Sequence, residues 1–205
     1  NWGLRLGILL AVPAAVALAI LAIPLISTLF YYGAFTEKDI LMTQYALIAY
    51  SIGLVGLILI KILAPAFYAQ QNIKTPVKIA LFTLFCTQFM NLIFIDYLKH
   101  TGLALAIGLG ACINAGLLFH HLKKGKIFKL SDGWLVFLTK IIFASFIMAL
   151  GLFYFKGTID LWMGYSALSR FGHLIALIFF GATVYFIILK ILRLDITEFF
   201  KKTIQ

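Results

Sequence analysis

The chain has 205 residues, a net charge of +10 and a mean hydropathy of +1.07. Hydrophobic residues make up 63% of it and charged residues 12%, whereas a soluble domain is about half apolar and about a quarter charged. This composition excludes an ordinary soluble domain and indicates an integral membrane protein.

Six apolar stretches are long enough, or nearly so, to cross a bilayer as helices, since a crossing needs about 20 residues. The sequence therefore predicts an all-α, polytopic membrane bundle of six transmembrane helices. We denote them A to F; they cover residues 7–30, 41–63, 77–97, 103–120, 134–155 and 171–192. Pro13 and Pro24 in helix A predict kinks, because proline removes a backbone donor.

The basic residues fall unequally on the two sides of this bundle. Thirteen of the 17 lysines and arginines lie on one side, and four lie on the other. The larger set includes the lysines of the linker 123–133. The positive-inside rule places the first set in the cytoplasm, together with both ends of the chain. The stripes and stacking aromatics of a nucleic-acid site are missing, so the positive charge is interpreted as a topology signal, and no nucleic-acid partner is predicted. The minority set is Lys38, Lys99, Lys156 and Arg170.

Residues 45–78 are the most informative segment, because helix B keeps a charged residue, Lys61, near its inner end. The chain is expected to break at Pro65, pass through a polar turn at residues 70–72 and restart after Pro76. Intramembrane charge is costly and usually functional. Lys61 is therefore predicted either to snorkel to the headgroups or to face a water-filled cavity and meet an anionic substrate.

Helix C carries a polar stripe, because residues four apart share a helix face. Two hypotheses stay open for it: interhelical hydrogen bonding, which is the usual role of such groups in lipid, or a site for a monovalent cation such as sodium. Small residues on helix D predict close packing against a neighbour, with helix C favoured. The stripe comprises Thr83, Thr87 and Asn91, with Gln88 beside them and Asn114 on helix D.

No stretch carries the signature of a catalytic or metal site. The seven carboxylates lie in predicted loops or at helix ends, and phosphate-loop, HExxH and GxSxG motifs are absent. A catalytic residue, a metal and an enzyme activity are therefore not predicted. Because the chain begins with Asn1 and without a signal peptide pattern, we expect it to be a piece of a longer protein.

Residues 2–116 resemble the MurJ (MviN) family of lipid II flippases, in the multidrug/oligosaccharidyl-lipid/polysaccharide exporter superfamily. The resemblance is carried by WGLRL, LFYYGAFTEKD, YSIGLVGLILIKILAPAFYAQQNIKTPVKIA, MNLIF and KHTGLALAIGLGACINAGLL. It implies the C-terminal six helices of a fourteen-helix fold, with eight N-terminal helices of the same protein missing. Residues 1–122 would then be four helices of the second lobe, 123–133 a basic cytoplasmic linker, and 134–205 two additional helices and a tail.

The same resemblance implies a function. Such a flippase moves lipid II, the undecaprenyl-diphosphate-linked peptidoglycan precursor, across the bacterial inner membrane by alternating access. Lys61 and Tyr45 would then lie at the substrate cavity, and the polar stripe at a cation-binding position. The rival hypotheses are another exporter of the superfamily, for a drug or a polyprenyl-linked glycan, and a membrane enzyme or assembly subunit with its site elsewhere.

Overall fold

The computed structural model describes residues 2–125 and 133–194, and in these two ranges all regular structure is α-helical. The basic residues Lys126 and Lys129 and the predicted tail from residue 195 onward lie outside the described residues. There are seven helices in the two ranges: α1 Trp2–Ile20, α2 Ala22–Phe30, α3 Glu37–Tyr68, α4 Lys74–Lys124, α5 Trp134–Phe155, α6 Ile159–Gly164 and α7 Ala167–Ile191.

Five of the described helices, all but α2 and α6, are long and apolar enough to cross a membrane. The all-α membrane bundle is therefore confirmed, although the count of six crossings is approximate. Helices C and D are the two limbs of α4, a 51-residue helix interrupted only at Lys99, where φ is +50°. Helix E coincides with α5, and helix F begins four residues earlier than expected, at Ala167. The short helix α6 was not predicted.

Helix A is divided into α1 and α2 at Leu21. Pro24 explains this position, because its nitrogen cannot donate to the carbonyl of residue 20 and its ring crowds that carbonyl. Pro13 stays inside α1. The two prolines of helix A thus differ in outcome, and only Pro24 is associated with a break in the helix.

The expected break at Pro65 is wrong, since α3 continues through it to Tyr68. The turn that follows Tyr68 contains Gln71, which has a left-handed φ of +56°, and the Asn72 N–H donates to the Phe67 carbonyl at 3.0 Å. This six-to-one bond is typical of a helix C-terminus. The Asn72 Oδ1 then accepts from the Thr75 N–H at 3.2 Å. The predicted polar turn between two helices is therefore present, a few residues later than Pro65.

Packing divides the chain into two compact units, residues 1–11 with 49–132 and residues 12–48 with 133–205. The predicted boundaries at residues 122 and 133 describe a functional division and stay a prediction.

In the first unit the two limbs of α4 form an antiparallel hairpin. A Cβ on Gly102 would lie 2.6 Å from the Phe94 carbonyl oxygen, and Gly110 contacts the Thr87 side chain. The farther a residue lies from Lys99 on one limb, the farther from Lys99 is the residue that it contacts on the other limb. Helices C and D are therefore in contact as predicted, but the contact is made by Gly102 and Gly110 and not by the small residues spaced four apart on helix D.

The second limb of α4 also lies directly against α3. Gly53 faces Gly108, and a Cβ on Gly56 would come within 2.7 Å of the Ala111 carbonyl carbon and the Cys112 nitrogen. Only glycine allows this backbone approach. The small residues of helix D therefore contact α3 through Gly108, whereas Gly110 provides the contact with the first limb.

In the second unit α5 and α7 pack as an antiparallel pair. A Cβ on Gly181 would lie 3.1 Å from Leu152, and the ring centroids of Phe155 and Phe180 are 5.1 Å apart. Helices α2 and α6 pack together, and α2 also packs against α7. This arrangement surrounds the buried Arg170, described below.

Candidate functional site

The polar stripe lies where the two limbs of α4 meet. Thr83 is buried, and its Oγ1 is 3.0 Å from the carbonyl oxygens of both Ile79 and Ala80, one turn earlier in the same limb. The Thr83 Oγ1 also accepts from the Asn114 Nδ2 at 3.2 Å. The structure thus joins two of the predicted residues across the hairpin, as the hydrogen-bonding hypothesis requires.

Thr87 also lies where the two limbs of α4 meet. Its Oγ1 donates to the Thr83 carbonyl at 2.8 Å, and the hydroxyl lies against Gly110, where any Cβ would overlap it. The glycine therefore provides the space in which a threonine hydroxyl can lie between two closely packed helices. Because the hydroxyl proton is used within the helix, the remaining lone pairs of Oγ1 are acceptors only.

Gln88 and Asn91 form a separate pair at the more exposed end of the stripe. The Asn91 Nδ2 donates to the Gln88 Oε1 at 3.3 Å. The Asn91 Oδ1 is buried and has no hydrogen-bond partner. A buried acceptor without a partner costs about 1–3 kcal/mol, so this oxygen is the atom of the stripe most in need of a ligand, a water or a neighbouring donor.

The stripe offers neutral oxygens and amide groups, and it carries no charge. Among residues 2–125 and 133–194, no three histidine, cysteine, aspartate or glutamate residues come together as a metal site. Hydroxyl and amide oxygens suit a hard cation, and the same groups form interhelical hydrogen bonds in lipid. The Thr83–Asn114 contact is an interhelical hydrogen bond, whereas the Asn91 Oδ1 is the atom available to a cation.

Lys61 and Tyr45 both lie on α3 and both have exposed side chains, with Tyr45 57% exposed. They belong to different units of the chain, Lys61 to the first and Tyr45 to the second. Their role at a substrate cavity stays a prediction for each residue separately. Pro65 removes the helical partner of the Lys61 carbonyl, because proline has no N–H.

Arg170 is the residue whose role was missed in the sequence, where it counted only as an outer loop charge. It is buried, with 6% of its surface exposed. Its Nη1 donates to the carbonyls of Ser27 at 3.3 Å and Tyr31 at 3.0 Å, and its Nη2 donates to the Met163 carbonyl at 3.1 Å. The guanidinium carbon also lies 4.7 Å from the Tyr31 ring centroid.

Arg170 thus binds the C-terminal end of α2 and the end of α6. Carbonyls at a helix C-terminus are unpaired and carry partial negative charge, so a guanidinium is a suitable partner for them. The sequence feature that indicates this role is an arginine in the first turn of an apolar helix, after a helix whose C-cap residue is not glycine.

Comparison with known proteins identifies relatives of the whole chain. The family profile described as "Lipid II flippase MurJ" matches residues 1–171. The chain is 47% identical over 188 residues to the Lipid II flippase MurJ of Burkholderia cenocepacia. It is 37% identical over 185 residues to the probable lipid II flippase MurJ of Haemophilus influenzae. These alignments cover 91% and 90% of this chain.

A solved structure titled "Lipid II flippase MurJ, inward closed conformation" is similar with a TM-score of 0.74 and 28% identity. The similarity covers 98% of this chain and 38% of that one. The chain likewise spans 36% of the length of each of the two relatives named above. The sequence matches and the shared fold agree on one assignment: this chain belongs to the lipid II flippase MurJ family.

Proposed function

We propose that this chain is part of a lipid II flippase, a transporter that moves the undecaprenyl-diphosphate-linked peptidoglycan precursor across the membrane by alternating access. The observation that carries the proposal is the family match over residues 1–171, at 47% identity to a relative named as a lipid II flippase. As a member of this family with five membrane-crossing helices among its described residues, it is a multi-pass inner membrane protein.

The proposal also places this chain within a longer polypeptide. Because the chain spans 36–40% of the length of relatives, we assign the rest of the transport unit, including eight preceding helices, to the same protein. To test the function, the native full-length protein is supplied to a bacterium depleted of its own lipid II flippase. Growth and normal lipid II export are expected. Lysis despite normal membrane levels of the protein would contradict the proposal.

Lys61 is proposed to face the cavity and assist the diphosphate headgroup on the inward side. An ammonium is a mobile point charge, which suits a contact that must also release its ligand. In the full-length protein, Lys61→Ala is expected to slow flipping about tenfold, and Lys61→Arg is expected to retain part of the activity. A tenfold change corresponds to about 1.4 kcal/mol. Complementation of the depleted strain and a lipid II export assay measure both.

The matched control is Lys78→Ala, since Lys78 is also exposed and lies near the same predicted membrane face. It is expected to leave growth and export unchanged. Full growth with Lys61→Ala, or equal loss with both variants, would assign Lys61 to the headgroup interface instead.

The polar stripe is proposed to bind a sodium ion, with the Asn91 Oδ1 among its ligands. Asn91→Leu is then expected to abolish any increase in melting temperature caused by sodium, with potassium or choline as the comparison salt. A packing role predicts a different result, namely a stability loss of about 0.6–2 kcal/mol without ion specificity. A sodium response of parental size in Asn91→Leu would reject the ion site.

The orientation of the chain is proposed from its charge distribution, with the α3–α4 turn in the cytoplasm and the α2–α3 and α5–α7 connections outside. A cysteine at Lys38 is expected to react with a membrane-impermeant maleimide in intact cells, and a cysteine at Lys74 only after permeabilisation. Both lysines are exposed, so burial does not account for a difference. The reverse labelling pattern would overturn the orientation.

A further inference from the structure

A cavity of about 320 Å³ lies in the second unit, between the end of α5, the short helix α6 and the first turns of α7. It exists because α5 ends at Phe155, while α7 begins well beyond the level of that residue. Leu152 faces Gly181, so about ten residues of α7, or about 15 Å, extend past the end of α5. Helix α6 folds back into this space without filling it.

The walls of the cavity are largely aromatic. Trp162 is 2% exposed, and its indole Nε1 donates to the Lys156 carbonyl at 2.5 Å. Because its only polar atom is bonded to the backbone, the indole presents an apolar surface. Phe155 and Phe180 pack edge to face at 5.1 Å and continue this surface deeper along α7. Such walls suit hydrocarbon.

The rim of the same cavity is cationic. Lys156 lines it, and its ammonium lies 4.6 Å from the centroid of the Phe153 ring. Within the described ranges no carboxylate pairs with this ammonium. Asp160 of α6 is exposed and is not a lining residue. Lys156 therefore brings a positive charge without a carboxylate partner among the described residues to the edge of the cavity, where its ammonium lies over the Phe153 ring.

His173 adds a second nitrogen at the cavity. Its ring stacks on Tyr165 with centroids 4.6 Å apart and an interplanar angle of 8°. The Nδ1 is 2.8 Å from the Ser169 carbonyl, so Nδ1 carries the proton and donates it. The other nitrogen, Nε2, then carries a lone pair and can accept a hydrogen bond from a ligand.

The position of the cavity selects the kind of molecule that would reach it. Tryptophan and tyrosine concentrate where hydrocarbon meets headgroups, and a lysine near an anionic lipid surface contributes about 1 kcal/mol of attraction. We propose that this cavity binds one anionic phospholipid of the phosphatidylglycerol type. Its phosphodiester would contact Lys156, and a hydroxyl of its glycerol headgroup would donate to the His173 Nε2. The first methylenes of its chains would lie on Trp162, Phe155 and Phe180.

The volume agrees with this occupant, because pockets for small molecules begin at about 300 Å³. A headgroup with the first carbons of its chains fits, and the remaining chain lengths extend into the bilayer. The proposal does not depend on the transported substrate.

The test uses the native full-length protein, delipidated in detergent. Phosphatidylglycerol and phosphatidylcholine with identical chains are added, and bound lipid is counted by native mass spectrometry. Phosphatidylglycerol is expected to bind more tightly. Lys156→Gln should weaken it about fivefold, which is the size expected for one lysine at a lipid surface. Ala176→Phe, which places a ring in the cavity without changing charge, should weaken it at least as much.

The control variant is Lys38→Gln, which removes an exposed lysine of the same unit from outside the cavity and should bind the lipid as the parent does. Equal weakening in Lys38→Gln would show a general charge effect and overturn the site. Parental binding by Ala176→Phe, or equal binding of the two lipids, would overturn it as well. Competition by millimolar inorganic phosphate would assign the site to a free anion and reject the lipid.

Discussion

Replacement of Arg170 by leucine is expected to lower the free energy of unfolding by about 3–5 kcal/mol, because it removes a buried cation from three carbonyl partners. The carbonyls of Ser27, Tyr31 and Met163 would lose their donor. Lysine is expected to recover only part of the loss, since a single ammonium cannot reproduce the fork of a guanidinium.

The measurement is a denaturation titration of the full-length protein in mixed micelles. Lys190→Leu is the matched control, because Lys190 lies on the same helix α7 and is exposed. It is expected to change the free energy of unfolding by less than about 0.5 kcal/mol. If Arg170→Leu were as stable as the control, Arg170 would not be the residue that holds α2, α6 and α7 together.

Replacement of Gly56 by alanine is expected to lower the free energy of unfolding by about 1–3 kcal/mol, because the added methyl group forces apart two backbones that are in contact. The new Cβ would be 2.7 Å from the Ala111 carbonyl carbon and the Cys112 nitrogen, and neither atom can rotate away as a side chain would. The same titration in mixed micelles measures the change.

Gly116→Ala provides the control for this prediction, because Gly116 is also helical and a Cβ there would meet nothing within 4 Å. Removing a glycine from a helix interior without a clash raises stability by about 0.5–1 kcal/mol. The two substitutions add the same atom and are expected to act in opposite directions. Equal effects would show that the approach of α3 to α4 contributes little to stability.

The local features of the fold were predictable to the extent that they depend on hydropathy. Helix E matches α5 at both ends, because a long apolar run between polar residues has one favourable arrangement in a bilayer. The polar turn at residues 70–72 was also predictable. Its exact start was not, because α3 continues through Pro65 to Tyr68. The left-handed residue of the turn is Gln71, and glutamine does not indicate this conformation in a sequence as glycine would.

The candidate site was predictable in part. Spacing placed Thr83 and Thr87 on one helix face, and the structure adds Asn114 to Thr83 at 3.2 Å. The separation of Gln88 and Asn91 as a pair of their own was not visible, because side-chain hydrogen bonds depend on rotamers and on the neighbouring helix. The roles of Lys61 and Tyr45 were inferred by resemblance.

The sequence by itself determined that this protein is a membrane helix bundle and which segments are apolar enough to cross the bilayer, because the free energy of transferring a segment into lipid is nearly a sum over its residues. Only the tertiary structure decided that Gly56 meets Ala111 and that Arg170 binds the end of α2. In lipid, hydrophobicity does not select one helix partner over another. Shape and hydrogen bonding make that choice, and both depend on atoms far apart in the chain.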